Sequence, residues 1–475
     1  MPFVIPRMPP AYWGAMKVLL LNPPAPVPQT REGRCTQMRG FWQTTWPPLS
    51  LAMLAAVLRD AGHDPVGMDC AQTATTARTA AERAAAERFD AALWAVGNVT
   101  PADDLALAKH LKEAVPGVRT AVFGTFPTAL QSPVFARAPE LDAILAGEPE
   151  ASAPALLDMW AAGGSTPPPG VAVRGQHTNA AAAFTQDLDR LPLPAWERIE
   201  GGPYRLPLSG RPFLMVATGR GCPHACSFCT TRAYYGTRLR KRAPERIVDE
   251  LEHNLHEFGV RDFLFWADTF TLDRRHVLDL CEAITRRRLA VQWACNSRID
   301  SVDEAMLAAM RRAGCWMVSF GIESANEQIL RNAGKRIGPD RVRPVLEAAS
   351  REGLVCSGHF ILGLPGETRA TAEATIAFAC GLPVQFAQFY AAAPWPGSRL
   401  YAQARGEGRM APEDAWRGLS QEDARISVCE LPAHEVQAFV AAAYRRFYRR
   451  PETWLAALRQ LRPAGLWPIL RQRVA

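Results

Sequence analysis

Two series of apolar runs alternate with amphipathic stretches along the chain. In the first series, over residues 16–164, β-type runs such as Val18–Asn22 and Ala91–Val96 alternate with helical stretches such as Leu49–Ala61 and Asp103–Val115. This alternation is typical of a parallel sheet with helices on both faces, in which ligands bind at the carboxyl ends of the strands. We therefore predict an α/β domain over residues 16–164.

A segment rich in Pro and Gly, residues 165–211, follows this domain. It includes Pro167–Gly170 and Leu191–Pro194 and lacks sustained periodicity, which predicts a linker with room for one small hairpin.

The second series occupies residues 212–405 and again alternates strands with helices. This order predicts a partial (β/α)6 barrel of the TIM type, with its active site at the carboxyl ends of the strands. Residues 406–475 are predicted to be helical, and Trp416 and Val436–Phe447 offer apolar faces that can close the barrel. The six predicted strands are Phe213–Ala217, Phe263–Trp266, Val291–Cys295, Trp316–Phe320, Val355–Ile361 and Gln385–Ala391.

Composition fits a folded protein of several domains, because 475 residues are 48% hydrophobic and 21% charged. The net charge of +7 equals the surplus of the C-terminal tail alone, which has eight arginines and one acid after Ala443. No compact RNA-binding module follows the barrel, so we expect no nucleic-acid partner. We expect this tail to be a solvated helix packed on the body, and the alternative is peripheral contact with an anionic membrane surface.

The expected compartment is the cytoplasm. The first fifteen residues carry four prolines and no basic region followed by a long apolar core, so they do not resemble a secretion signal. Eleven cysteines without regular pairing fit a reducing compartment better than a disulfide framework.

Three of these cysteines, Cys222, Cys226 and Cys229, lie within eight residues after the first strand of the second series. Three thiolates at this spacing can bind three irons of a [4Fe–4S] cubane and leave the fourth iron open to a ligand. A zinc site or buried packing cysteines are the alternatives, but zinc normally takes four ligands in paired short spacings.

The sequence Cys-x₃-Cys-x-aromatic-Cys resembles the signature of the radical S-adenosylmethionine (SAM) superfamily. The resemblance implies a cluster that passes an electron to SAM and yields methionine and a 5′-deoxyadenosyl radical. It also implies an electron donor such as flavodoxin or ferredoxin. Phe228, just before the third cysteine, would then lie against the adenine of SAM, with a place in the barrel core as the alternative.

Further pieces of the barrel resemble the same superfamily and imply the SAM-binding residues Asp268, Arg298, Glu323 and Gly363. A guanidinium can pair with the SAM carboxylate, and a carboxylate can accept hydrogen bonds from the ribose hydroxyls. A glycine lets a strand end approach the nucleoside closely. Beyond Gly363, a helix cap is the expected role of Glu367 or Thr368.

The first domain contains the short motifs Asn22-Pro23-Pro24, Trp46–Leu51, Ala61–Asp64, Gly124–Thr128 and Gly147–Pro149. With these motifs it resembles the flavodoxin-like (Rossmann-type) cobalamin-binding domain that precedes the barrel in the cobalamin-dependent branch of the superfamily. The Asp-x-His-x-x-Gly loop that supplies a histidine ligand to cobalt is absent, and His63 is expected to be a turn residue. An empty scaffold that shapes the substrate pocket is the alternative to cobalamin binding. The cobalamin contacts that the resemblance implies are Gly124, Thr125, Pro127, Thr128, Gly147 and Glu148.

The resemblance implies methylation of an unactivated carbon of a small-molecule, lipid or tetrapyrrole substrate. One SAM would methylate cobalamin and a second would supply the radical, so the strand-end loops of the first domain should lie over the barrel mouth. The alternatives are a cyclisation, ring contraction or oxidation without methyl transfer, and a non-catalytic iron–sulfur or RNA-binding protein. Cys295 and Cys356 are expected to be small apolar residues of the barrel.

Overall fold

The computed structural model describes residues 14–25, 29–32, 35–37, 45–175 and 179–460. Two parallel sheets organise these residues, one in each predicted domain. Among the described residues, no helix combines the length and the apolar composition that crossing a bilayer requires.

The first sheet has seven strands in the order β8-β7-β6-β5-β1-β4-β9. All neighbours are parallel except β7 and β8. Its elements are β1 (Lys17–Asn22), β2 (Thr30–Glu32), β3 (Cys35–Gln37), α1 (Leu49–Asp60), β4 (Asp64–Asp69), α2 (Cys70–Thr73), α3 (Ala77–Ala86), β5 (Ala91–Ala95), α4 (Pro101–Ala114), β6 (Arg119–Phe123), α5 (Thr125–Ala129), α6 (Gln131–Arg137), β7 (Ala143–Leu145), α7 (Ala153–Ala161), β8 (Val171–Val173) and β9 (Ile199–Glu200).

The second sheet has six parallel strands in the order β10-β13-β14-β15-β16-β17, which confirms the predicted partial barrel. Its elements are β10 (Phe213–Ala217), β11 (Gly219–Arg220), α8 (Thr231–Tyr234), β12 (Arg240–Lys241), α9 (Pro244–Phe258), β13 (Asp262–Trp266), α10 (Arg274–Arg286), β14 (Gln292–Arg298), α11 (Glu304–Arg312), β15 (Cys315–Glu323), α12 (Glu327–Asn332), α13 (Val342–Arg351), β16 (Val355–Leu362), α14 (Arg369–Gly381) and β17 (Phe386–Ala391). The C-terminal elements are α15 (Arg399–Gly406), α16 (Ala433–Phe447) and α17 (Pro451–Gln460).

The predicted elements form because their apolar positions repeat with the period of the structure that buries them. Every residue of β10 is buried, and residues of α9 spaced three or four apart, Ile247, Val248 and Leu251, face the barrel core. Helix α9 ends at Gly259, whose φ of +65° is a conformation that glycine adopts without strain.

The segment 165–211 differs from the expected linker, because it contributes both edge strands of the first sheet. β8 pairs antiparallel with β7, and β9 pairs with β4 at the opposite edge. Neither strand exceeds three residues, which is too short for a periodic pattern to show in the sequence.

A continuous apolar cluster joins the two sheets. It includes Leu19 and Trp94 of the first sheet together with Ile361 and Tyr390 of the barrel. Burial of this interface holds the first domain over the carboxyl ends of the barrel strands. This is the predicted placement, in which the strand-end loops of the first domain lie over the barrel mouth.

Helix α16 covers the edge of the barrel at β17. The hydroxyl of Tyr444 accepts a hydrogen bond from Phe389 N at 3.2 Å, and the hydroxyl of Tyr448 donates to Ala387 O at 2.8 Å. These hydrogen bonds satisfy backbone N–H and C=O groups of β17 that would otherwise be unpaired at the edge of the sheet. Trp416 differs from expectation, because it packs on Phe126 of the first domain instead of closing the barrel. Residues 461–475 of the predicted basic tail lie outside the described residues.

Candidate active site

The loop with the three cysteines follows β11 at the carboxyl end of β10. Cys222, Cys226 and Cys229 are half-buried and line one cavity of about 270 Å³. Gly221 precedes them with φ of +88°, and a Cβ there would lie 2.2 Å from the carbonyl oxygen of Arg238. Only glycine therefore allows this entry into the loop.

Backbone hydrogen bonds to the segments after α12 and at the start of α15 also hold the cysteine loop. Ser227 N donates to Ala333 O at 2.8 Å, and Ser227 O accepts from Leu400 N at 2.8 Å. Gly334, with φ of +70°, approaches so closely that a Cβ would lie 2.6 Å from Ala225 O. The turn after α12 thus helps to fix the position of the cysteine loop.

The donor set fits a [4Fe–4S] cluster better than a single ion. In the described part of the chain, no three His, Cys, Asp or Glu side chains converge closely enough for one metal ion. The thiolates of a cubane each bind a different iron and need no common point. Burial raises the pKa of Cys226, and the positive charges of Lys335 and Arg298 oppose this rise and favour the thiolate that iron requires.

The cavity is lined by the three charged residues predicted to bind SAM, which are Asp268, Arg298 and Glu323. Oδ2 of Asp268 accepts from Gly221 N at 2.8 Å and Oδ1 accepts from the Thr231 hydroxyl at 2.7 Å. Asp268 therefore also positions the cysteine loop.

Arg298 is paired with Asp300, and Glu323 is paired with Lys335. The guanidinium of Arg298 pairs with both oxygens of Asp300 at 2.8 Å. Burial by itself would lower the pKa of Arg298, but the hydrogen bonds and the charge of Asp300 outweigh burial. The pKa of Arg298 is therefore raised, and the guanidinium stays charged. Glu323 has a left-handed φ of +70°, which is uncommon for a residue other than glycine and concentrates at functional sites.

Phe228 lines the cavity, is half-buried, and packs against the apolar cluster that joins the two sheets. Gly363 is not among the residues that line the cavity, and a Cβ there would lie 2.9 Å from Val436 of α16. Its backbone N–H donates to buried Glu367, whereas the hydroxyl of Thr368 caps α14. The capping role expected at this position thus belongs to Thr368.

Lys335 is a cavity residue that sequence reasoning missed. Its Nζ lies 2.5 Å from Oε1 of Glu323, and both side chains are buried. The SAM residues were predicted at the carboxyl ends of the barrel strands. Lys335 instead follows the turn after α12, so the prediction did not include it. The Gly334-Lys335 pair after a short helix was the available signal.

The six residues predicted to contact cobalamin divide into two groups. Gly147 and Glu148 are committed to protein contacts: a Cβ on Gly147 would lie 2.4 Å from Ala183 O, and Glu148 pairs with Arg220 and Arg240. The side-chain directions at these two positions therefore point to protein neighbours.

The other group follows β6, beside Asn98 at the end of β5. The hydroxyl of Thr125 accepts from Nδ2 of Asn98, and Oδ1 of Asn98 is buried without a hydrogen-bond partner among the described residues. A buried acceptor of this kind fits the amide N–H groups at the corrin periphery. The remaining residues of this group are Gly124, Pro127 and Thr128, of which Thr128 donates to Gly124 O at 2.7 Å.

Two other predicted roles agree with the structure. Cys295 and Cys356 are buried in the barrel core, and neither lines the cavity. His63 precedes β4, and its Nδ1 accepts from Met16 N at the amino end of the first sheet, as expected of a turn residue.

Comparison with known proteins adds independent support. The radical SAM superfamily model matches residues 216–379, and the B12 binding domain model matches residues 42–157. An uncharacterised methyltransferase of Pyrococcus horikoshii is 31% identical over 446 residues, which cover 92% of this chain and 93% of that protein.

Two further proteins resemble the chain over most of its length. An anaerobic magnesium-protoporphyrin IX monomethyl ester cyclase of Rubrivivax gelatinosus is 28% identical over 376 residues, 75% of this chain and 66% of its own. The solved structure of the radical SAM methyltransferase TsrM from Kitasatospora setae, with tryptophan substrate and a SAM analogue bound, is 18% identical. It has a TM-score of 0.70, covers 90% of this chain and 89% of its own, and shows the same fold.

A cysteine loop at the mouth of a six-stranded barrel, with a B12-type domain over it, defines a radical SAM enzyme. The chain belongs to the cobalamin-dependent radical SAM family, in its methyltransferase-like branch. The cofactors of this enzyme are a [4Fe–4S] cluster, SAM and cobalamin.

Proposed function

We propose that the protein transfers a methyl group from SAM to an unactivated carbon of a small-molecule, lipid or tetrapyrrole substrate. The observation that carries this proposal is the placement of the three cysteines and the charged SAM residues in one cavity beneath the first domain. The methyltransferase of Pyrococcus horikoshii supports it, because the similarity spans nearly the whole of both chains.

When bound, the cluster supplies the electron that cleaves SAM, and cobalamin supplies a carrier for the methyl group. The chain's own residues bind and orient the reactants. Arg298 and Lys335 present positive charge to the SAM carboxylate, and Glu323 offers an oxygen to the ribose hydroxyls. The buried walls exclude water, which would otherwise quench a carbon radical.

A product analysis with SAM labelled as the CD₃ methyl tests the proposal. Anaerobically reconstituted enzyme, a chemical reductant and an organic extract of the source cells should yield S-adenosylhomocysteine and 5′-deoxyadenosine together, and one compound in the extract should gain the label. Formation of 5′-deoxyadenosine with no S-adenosylhomocysteine and no labelled product would contradict methyl transfer.

A second candidate is a cyclisation, ring contraction or oxidation that uses the same cofactors. The similarity to the cyclase of Rubrivivax gelatinosus favours it, although the identity is lower and less of each chain is covered. In the same assay this reaction would give 5′-deoxyadenosine alone and an unlabelled product.

We also propose peripheral contact with an anionic membrane surface through α17. Trp454, Leu455 and Leu458 of this helix expose 63%, 56% and 61% of their surface, and Arg449 and Arg459 lie beside them. Sedimentation with vesicles of phosphatidylglycerol but not of phosphatidylcholine is expected. Equal recovery with both lipids, or with neither, would contradict this contact.

The proposed compartment is the reducing cytoplasm, with a flavodoxin or ferredoxin as electron donor. The ten cysteines whose side chains are described are all free thiols, which fits this environment. To test the electron donor, the absorption of the cluster is monitored while purified, reduced flavodoxin or ferredoxin is added. Loss of the absorption of the oxidised cluster is the expected result.

A further inference from the structure

The lumen of the barrel is hollow below the layer that carries the SAM residues. The cavity continues from the cysteine loop through the lumen to Phe213 and Phe386, the first residues of β10 and β17. Large branched side chains fill the lumen of an ordinary closed β/α barrel. Here Ala294, Ser319 and Ser357 occupy lumen positions, and their small side chains leave the space open.

A polar row crosses this space. Asn296, Ser319 and Ser357 lie side by side on three adjacent strands, because Asn296 is in register with Ser319 and Ser319 with Ser357. Arg298 is two residues farther along β14, and two residues of a strand span about 7 Å. The row therefore lies one layer beneath Arg298, toward the amino ends of the strands.

Ser357 is the member of the row that indicates a ligand. Its side chain is buried, with 2% of the residue exposed, and Oγ has no hydrogen-bond partner among the described residues. A buried hydroxyl without a partner has an unfavourable desolvation free energy, so such groups are normally satisfied. A hydrogen-bonding group of a molecule in the lumen would satisfy this hydroxyl.

The charges of the cavity lie at its two ends. The charged residues at the carboxyl end with the cysteine loop are Arg232, Asp268, Arg298, Glu323 and Lys335, and Arg211 at the amino end is paired with Asp262 at 2.7 Å. Among the described residues, no Lys, Arg, Asp or Glu belongs to the row or is in register with it, and its neighbour on β17 is Phe386, which pairs with Ser357. A charged group held at the row would be desolvated without a partner.

We propose that the lumen beside the row binds the substrate, and that the substrate is an uncharged, largely apolar molecule with a hydrogen-bonding group paired to Ser357. The apolar body packs against the aromatic wall that Phe263, Trp316 and Phe386 supply. This inference rests on the proposed function, because it names the substrate class of the same cavity.

Equilibrium dialysis of the reconstituted holoenzyme without reductant tests the inference. The probes are 2-naphthol, naphthalene and 2-naphthoate, which share one ring system and differ in the hydroxyl and the charge. About one 2-naphthol should bind per chain, and 2-naphthoate should bind about tenfold more weakly or worse. Ser357→Ala should weaken 2-naphthol about threefold to tenfold and leave naphthalene unchanged.

Ser357→Phe should fill the lumen and weaken 2-naphthol and naphthalene alike, by about tenfold or more. The matched controls are Ser350→Ala and Ser350→Phe at an exposed position of α13, which should change nothing. If Ser357→Phe does not fold, as judged by its cluster absorption, the Ser357→Ala comparison decides alone.

Equal binding of 2-naphthol and 2-naphthoate, or no effect of Ser357→Ala, would overturn the inference. The assay involves no turnover, so its outcome is separate from that of methyl transfer. An enzyme that binds 2-naphthol as described but forms no S-adenosylhomocysteine would contradict only the proposed function.

Discussion

Arg220 of the barrel donates a hydrogen bond through Nη1 to Oε2 of Glu148 in the first domain, across 3.0 Å, and both side chains are buried. Nη2 of Arg220 donates to Glu150 at 2.8 Å, and Arg240 donates to the other oxygen of Glu148. Arg220 lies two residues before Cys222, so this ion cluster ties the cysteine loop to the first domain. The acidic partners raise the pKa of Arg220 well above its ordinary value, although burial alone would lower it.

Glu148→Gln is expected to lower the free energy of unfolding by about 3 kcal/mol or more, because two buried guanidinium groups lose their shared counter-charge. Urea denaturation of the apoprotein measures this loss. Glu113→Gln on the exposed face of α4 is the matched control and should change stability by less than about 0.5 kcal/mol. Equal stability of the two variants would contradict a structural role for the ion cluster.

Lys335→Met should weaken SAM binding about tenfold or more while the iron content stays unchanged. The substitution removes a positive charge from the cavity and leaves Glu323 buried without its ion pair. Dialysis against labelled SAM measures the affinity. Arg336→Met, at the exposed neighbouring position, should bind SAM as the parent does. Unchanged affinity of Lys335→Met would place the lysine outside the SAM site.

Glu367 should make stability depend on pH. Burial raises the pKa of its carboxyl from 4.5 to about 7, so the folded protein holds a proton that the unfolded chain releases above pH 4.5. The stability that this proton contributes is complete below pH 4.5 and is lost as the pH rises through 7.

Glu367→Gln, which is neutral at every pH, should exceed the parent in stability by about 1 to 3 kcal/mol at pH 8 and lose this advantage toward pH 5. Thermal unfolding across this range measures the difference. Glu347→Gln on the exposed face of α13 should give the same difference from the parent at every pH. A pH-independent effect at position 367 would show that the carboxyl is ionised in the folded protein.

The sequence predicted the six barrel strands, the five inner strands of the first sheet and the cysteine loop, because these depend on local order. Buried strands such as β10 repeat apolar residues, and the cluster cysteines lie close together in the chain. Asp268, Arg298 and Glu323 could be found because they end successive strands of one barrel.

Long-range packing decided what the sequence could not show. Glu148 finds its partners Arg220 and Arg240 at separations of 72 and 92 residues, and Gly363 meets Val436 of a helix beyond the barrel. Nothing in the local pattern distinguishes such residues from ligand contacts. The hollow lumen likewise depends on Ala294, Ser319 and Ser357, which come together only when the strands β14, β15 and β16 pair.

The central claim is that the three-cysteine loop holds the cluster that cleaves SAM. The most direct test quantifies 5′-deoxyadenosine from reduced, reconstituted parent enzyme, Cys226→Ser and the control Cys380→Ser, a half-buried cysteine of α14. We predict that the parent and Cys380→Ser release 5′-deoxyadenosine and carry about four irons per chain, whereas Cys226→Ser releases none. Release at the parental rate from Cys226→Ser would contradict the account.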